Sequence, residues 1–96
     1  MEYNLAPEVL TVESVTDSIQ HILDCAKGLG RELATVQNGW NQSMFFDHEV
    51  SYDLLDLAVK QAKYDAKVNN TFYNTKKLED CISQMLVEAF GNGFIA

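Results

Sequence analysis

The chain has 96 residues, 47% hydrophobic and 10% aromatic, so it has the length of one small domain and is too apolar for a disordered tail. Fourteen acidic and seven basic residues give a net charge of −7, which argues against binding to nucleic acid or an anionic membrane. No apolar run approaches the roughly 20 residues of a membrane span, and the first residues do not resemble a signal peptide. We therefore expect one folded domain over residues 1–96, with no membrane insertion.

The first half of the chain predicts one long helix, over about residues 8–37. Pro7 occupies a plausible first helical position, and Glu8 follows where a carboxylate favours the positive end of the helix. Apolar residues then recur every three or four positions, as in a helix that packs along a nearly parallel neighbour. Gly28 and Gly30 oppose a helix. They either permit the close approach of another backbone or bend the helix, and the sequence leaves both readings open.

An Asn-Gly pair at residues 38–39 is a strong helix stop, because either residue readily takes the left-handed conformation just past a helix end. We place a turn at residues 38–42, and the chain's one tryptophan, Trp40, lies in it. A flat, large side chain at this point can cover the end of a helix pair. A second helix is predicted over about residues 43–90, followed by a tail at 91–96.

The predicted second helix is apolar on two sides, so it has two partners to satisfy. We expect one side to close a hairpin against the first helix and the other to meet a partner chain. The hairpin side contains Val50, Leu54, Leu57 and Val68. The predicted partner interface contains Tyr52, Leu55, Val59, Ala62 and Ala66.

The two predicted helices differ in length. At 1.5 Å per residue the two helices measure about 45 and 70 Å, so about a third of the second has no neighbour within the chain. A chain this small is rarely stable with a single line of contacts between two helices. We therefore predict an all-α, antiparallel two-helix hairpin that dimerises into a four-helix bundle. The alternative is a break at residues 69–71 that folds the end back as a third helix and gives a self-sufficient monomer.

Three short segments together resemble the Trp-x-Gly (WXG) family of early secreted antigenic target type, small helical hairpins exported by type VII (ESX) secretion systems. They are "APEVL" at residues 6–10, "NGWNQSMFF" at 38–46 and "AFGNGF" at 89–94. The chain departs from the family pattern at Gln42, where the family has glycine two residues after the tryptophan. The family's export signal, an aromatic residue with an acid four residues later, fails at Tyr73, which Lys77 follows at that distance.

The resemblance implies a divergent, non-enzymatic member that is either a secreted substrate or an export partner of a larger effector. Its partner would be a second copy, a related hairpin or the helical export domain of a toxin. Gly39, Trp40 and Gln42 in the turn, with Phe90 and Phe94 exposed near the C-terminus, would be offered to the secretion machinery. The protein would reside in the bacterial cytoplasm before export and then be secreted or held at the cell surface.

The sequence offers no catalytic, cofactor or metal site. Apart from the single His21–Cys25 pair, neither histidine has Cys, Asp or Glu at i, i+4 metal spacing on a shared apolar face. In a straight hairpin, Cys25 and Cys81 lie about 36 Å apart along the axis, too far for a disulfide within one chain. We expect both to be small buried residues, and a disulfide between chains is the alternative. The acidic charge supports an alternative function, a cytosolic binding module such as an immunity protein or antitoxin that covers a basic enzyme.

Overall fold

The structure is a computed structural model that describes residues 12–36, 39, 41, 43–71 and 73–95. It contains a long first helix, a short second one and two further long helices, separated by brief turns. They are α1 (Val12–Leu33), α2 (Ser43–Asp47), α3 (Val50–Val68) and α4 (Thr75–Ile95). Within the described ranges there is no strand, so the all-α prediction is confirmed.

The predicted second helix, continuous from about residue 43 to 90, is wrong. The chain leaves the helical path twice in that range, first at His48 and Glu49 and again after Val68. The short α2 starts at Ser43, as expected. The side-chain oxygen of Asn41 accepts a hydrogen bond from the backbone N–H of Ser43 at 3.0 Å and another from the Ser43 hydroxyl at 2.5 Å. The side chain of Asn41 thus supplies a partner for a free donor at the start of α2.

The second break is a Schellman motif, a helix ending built around one left-handed residue. Asn70 is that residue, with φ of 55°. The N–H of Thr71 donates to the carbonyl of Ala66 at 2.8 Å, and the N–H of Asn70 donates to the carbonyl of Lys67 at 3.2 Å. Both bonds satisfy carbonyls that the end of a helix leaves without partners, which is why the consecutive asparagines end α3.

A new helix cap follows within four residues. The side-chain oxygen of Asn74 accepts a hydrogen bond from the backbone N–H of Lys77 at 3.0 Å, and the Asn74 carbonyl accepts from Leu78 at 2.9 Å. This is the N-cap geometry that starts a helix at the next residue, and α4 begins at Thr75. A stop and a start so close together let the chain reverse, so the end folds back as a third long helix, as in the alternative to the hairpin.

The three long helices form a bundle, and the molecule is elongated, with extents of 51 × 21 × 19 Å. α4 packs most extensively on α1 and less on α3. The hydroxyl of Thr16 lies 3.9 Å from the sulfur of Met85, and farther along both helices Lys27 lies against Gly93. α1 and α4 therefore run in the same direction, with α3 returning between them in sequence.

α1 and α4 cross where glycines remove the side chains. A Cβ on Gly30 would lie 2.9 Å from the carbonyl carbon of Phe90 and from the amide nitrogen of Phe94, and closer still to the Phe90 oxygen. A Cβ on Gly93 would overlap the backbone of Lys27 in the same way. Gly28, by contrast, has nothing within 4 Å. Of the two readings left open for these glycines, close backbone approach applies to Gly30.

α1 is kinked at Ile19, whose φ of −118° and ψ of 18° are not helical. Just before it, the hydroxyl of Thr16 donates to the backbone carbonyl of Val12 at 2.8 Å. The hydroxyl of Ser18 donates to the backbone carbonyl of Ser14 at 3.0 Å. Hydroxyl groups that bond back to the carbonyl four residues earlier are known to bend helices, so they account for the kink without a glycine or proline.

The core runs along the line where α1, α3 and α4 meet, and α2 adds one aromatic residue to it. Phe45 is fully buried, and its ring lies 5.6 Å from that of Phe90 in an edge-to-face arrangement. The remaining core residues are aliphatic and come from all three long helices. They are Val15, Ile19, Ile22, Leu23, Ala26, Leu54, Ala58, Ala62, Leu78, Ile82, Leu86 and Val87.

Candidate interaction surface

Four large apolar side chains lie exposed in a line along α3. Val50, Leu57, Tyr64 and Val68 are 37, 54, 63 and 63% exposed. The first three are seven residues apart, so they lie on one side of the helix at intervals of two turns. α3 has 19 residues and is about 28 Å long, and the line covers nearly all of it. We refer to these four residues as the α3 stripe.

The charges beside the α3 stripe balance. α3 carries three acidic and three basic residues, in a chain whose net charge is −7. Asp53, Lys60 and Lys67 are also spaced by seven and follow one flank of the stripe, all exposed. The Lys60 ammonium lies 3.0 Å from the Asp56 carboxylate one turn earlier. The outer face of α3 is thus apolar and electrically neutral, while the excess of acid lies elsewhere in the chain.

The residues predicted as the partner interface are mostly inside the bundle. Ala62 and Ala66 are fully buried, so the prediction that they contact a partner is wrong for this fold. Leu55 and Val59 are half-buried and pack on the core, and of the set only Tyr52 is largely exposed. The side predicted to close the hairpin is also mostly exposed. Three of its four residues belong to the α3 stripe, and only Leu54 is buried.

The two apolar sides of α3 are therefore exchanged relative to the prediction. Once α4 folds back, α3 must fit against two helices, and small residues allow their close approach. Ser51, Ala58, Ala62 and Ala66 form such a side, all buried, with the Ser51 hydroxyl donating to the carbonyl of His48 at 2.7 Å. Ala58, Ala62 and Ala66 recur every four positions, and this spacing of small residues is the sequence signal for the inner side.

A groove of about 370 Å³ separates α3 from α4 on another side of the bundle. Its lining is acidic and partly apolar: Tyr52, Leu55, Asp56, Val59, Glu79, Asp80 and Ser83. Two of its three carboxylates have lysine partners, since Asp56 pairs with Lys60 and the Asp80 carboxylate lies 3.8 Å from the Lys76 ammonium. The groove therefore presents less free negative charge than its composition indicates.

The residues predicted to meet the secretion machinery do not form one surface among the described residues. Gly39 is exposed with φ of 94°, as expected for a turn glycine, whereas Trp40 and Gln42 lie outside the described residues. Phe90 is fully buried and Phe94 half-buried. The predicted tail at 91–96 is also wrong, because α4 continues to Ile95 and buries these rings against the bundle.

Reactive side chains are scattered. No group of three or more His, Cys, Asp or Glu residues in the described part of the chain is placed to hold a metal ion. Cys25 and Cys81 are both free, and Cys25 is exposed, contrary to the expectation that both are buried. Burial, with the nearby charge of Glu88 as a smaller cause, raises the pKa of the Cys81 thiol and so lowers its thiolate fraction.

Comparisons with known proteins return nothing: no family model, curated protein or solved structure matches the chain. In the described ranges no helix has both the length and the hydrophobicity needed to cross a membrane. Among the described residues, the α3 stripe is the most extended exposed apolar feature along a single helix.

Proposed function

We propose that this protein acts by binding another protein through the outer face of α3 and has no catalytic activity of its own. The observation that carries the proposal is the exposure of the α3 stripe. Apolar residues repeated at seven-residue intervals are the pattern by which one helix docks along another. A partner helix seated there would add a fourth helix to α1, α3 and α4.

The specific role that we propose is that of a small partner in type VII secretion, as secreted substrate or as export partner of a larger effector. Its support is the sequence resemblance together with the neutral, apolar character of the α3 stripe, which suits a salt-tolerant contact with a helical protein. The continuous second helix, one feature of the resemblance, is absent from this fold, so the role depends on the docking face.

A second candidate is the acidic binding module that covers a basic enzyme. The observation in its favour is the cluster of Asp56, Glu79 and Asp80 in the groove between α3 and α4. It ranks second because lysines within the chain already pair with two of the three carboxylates. Binding through such a surface would weaken steeply with added salt, whereas binding through the α3 stripe would change little.

Photo-crosslinking in the cells that make the protein tests this proposal. A benzophenone amino acid is placed at Leu57 in the α3 stripe and, as a matched control, at Gln20 on the exposed side of α1. Adducts of a helical export protein that form at position 57 and not at 20 would support the secretion role. Adducts of a basic enzyme would favour the second candidate. Equal and sparse crosslinking at both positions would contradict an interaction function for this face.

A further inference from the structure

We infer that the outer face of α3 binds the same face of a second copy of this chain, antiparallel, around a two-fold axis near residue 60. The inference rests on the proposed function in one respect, the use of the α3 stripe as a docking face, and it names the occupant. Its basis is that the α3 stripe and the Asp53–Lys67 pair on its flank are both self-complementary about that point.

In this arrangement the apolar residues of the α3 stripe face one another across the two-fold axis. When two copies of α3 run antiparallel with the axis at residue 60, Leu57 of one copy lies within one residue of the position opposite Tyr64 of the other. Val50 lies within two residues of the position opposite Val68, or about 3 Å along the axis. Because the symmetry is two-fold, each of these contacts occurs twice. Every member of the α3 stripe thus meets another member.

The charged flank matches in the same register. A two-fold axis between antiparallel helices brings the same flank of each helix together. Asp53 of one copy therefore faces Lys67 of the other, and the pair occurs twice. Both residues are exposed, and among the described residues neither has an ion-pair partner within its own chain. Lys60 meets its own counterpart at the axis, but Asp56 neutralises it at 3.0 Å within each copy.

The small size of the contact favours a weak, reversible dimer. A single helix of about 28 Å supplies an interface below the roughly 1,200 Å² at which weak and transient complexes give way to standard ones. We therefore expect a reversible dimer with a dissociation constant on the order of micromolar, and not an obligate one. The folded subunit does not depend on it, since the core is filled by residues of one chain.

A charge-reversal experiment tests the pairing by sedimentation equilibrium on the purified full chain. Asp53→Lys and Lys67→Asp each turn two attractive contacts into two repulsive ones, and we expect each to weaken the dimer about tenfold or more. Mixing the two variants restores opposite charges at both positions, so the mixture should dimerise about as well as the wild type. Because all the altered side chains are exposed, the variants should keep their helix content.

For Asp53→Lys, a model in which net charge alone governs association predicts a stronger dimer, whereas the paired contacts predict a weaker one. The variant therefore distinguishes the two explanations. Asp53→Lys reduces the magnitude of the chain's net charge of −7 by two and would strengthen association if general repulsion governed it. Asp24→Lys on the exposed side of α1 makes the same charge change and serves as the matched control, with no loss of dimer expected.

Three outcomes would overturn the inference: a wild type that is monomeric up to millimolar concentration, a dimer that both reversals leave unchanged, or a mixture no stronger than its components. Leu57→Glu should also dissociate the dimer, and a dimer that tolerates it would place the contact elsewhere. A monomeric wild type would refute the second copy as occupant while leaving the crosslinking test of the proposed function intact.

Discussion

The crossing of α1 and α4 makes a strong prediction about two glycines that are only two residues apart. Gly30→Ala places a Cβ at 2.9 Å from two backbone atoms of α4, about 0.5 Å inside the 3.4 Å at which ordinary contact begins, and still closer to the Phe90 oxygen. Backbone atoms cannot rotate away, so the helices must separate. Overpacking of this kind costs about 1–3 kcal/mol, and the rigid neighbours place this site near the upper value.

The helical preference of alanine offsets part of that cost, by about 1 kcal/mol per glycine replaced. We therefore expect Gly30→Ala to lower the free energy of unfolding by about 2 kcal/mol. Gly28→Ala is the matched control. It meets nothing within 4 Å, so only the preference acts, and we expect it to raise the free energy of unfolding by up to about 1 kcal/mol. The difference of about 3 kcal/mol between the variants exceeds the error of urea titrations followed by circular dichroism.

Equal stability of the two alanine variants, or a Gly30→Ala protein more stable than the wild type, would refute the close crossing. A change in the urea m-value would point instead to a different degree of burial in the native state.

Further predictions concern the reversal at the end of α3, the short helix α2 and the cysteines. Asn70→Ala should cost about 1 kcal/mol of stability because alanine is strained at positive φ, while Asn70→Gly should be neutral or stabilising, and both are read by urea unfolding. Asn74→Ala removes the α4 cap and should cost about 1 kcal/mol, whereas Asn74→Asp should retain most of the stability; equal values would contradict a capping role. Phe45→Ala should cost about 3–5 kcal/mol, since the ring is fully buried against α4, and a thermal scan with little loss would show that α2 does not anchor the bundle. The raised pKa of Cys81 lowers its thiolate fraction, so at pH 8 it should alkylate more slowly than exposed Cys25; Glu88→Gln should speed Cys81, and equal rates in the native protein would contradict its burial.

Helix content and the possible break at residues 69–71 could be predicted from the sequence. The break at His48 and Glu49 and the choice between two chain paths could not. The spacing of apolar residues indicated α1, and the consecutive asparagines at 69–70 marked a place where the chain could break. Whether it does break depends on the Schellman bonds and on the Asn74 cap acting together, with the burial gained when α4 reaches α1. Those are tertiary terms that periodicity does not contain.

Which side of α3 is exposed could not be predicted from the sequence either. That α3 is apolar on two sides is visible in the sequence, but which side faces inward follows from the number of neighbours. With one neighbour, bulky residues such as Leu57 close a seam. With two, the small residues Ala58 and Ala62 face inward, and Leu57 and Tyr64 turn to the outside. An error in one helix boundary therefore exchanged core and surface along the whole of α3.

The return of α4 along α1 is the central claim, because the exposure of the α3 stripe depends on it. The two native cysteines measure it directly by pulsed electron paramagnetic resonance, after spin labelling in urea, refolding, and dilution into excess unlabelled protein to suppress distances between copies. From the contacts of α1 with α4, Cys25 and Cys81 should be roughly 20 Å apart. A narrow distribution near that value would agree with the folded-back bundle, whereas a distance of about 36 Å or more would mean a continuous second helix and contradict it.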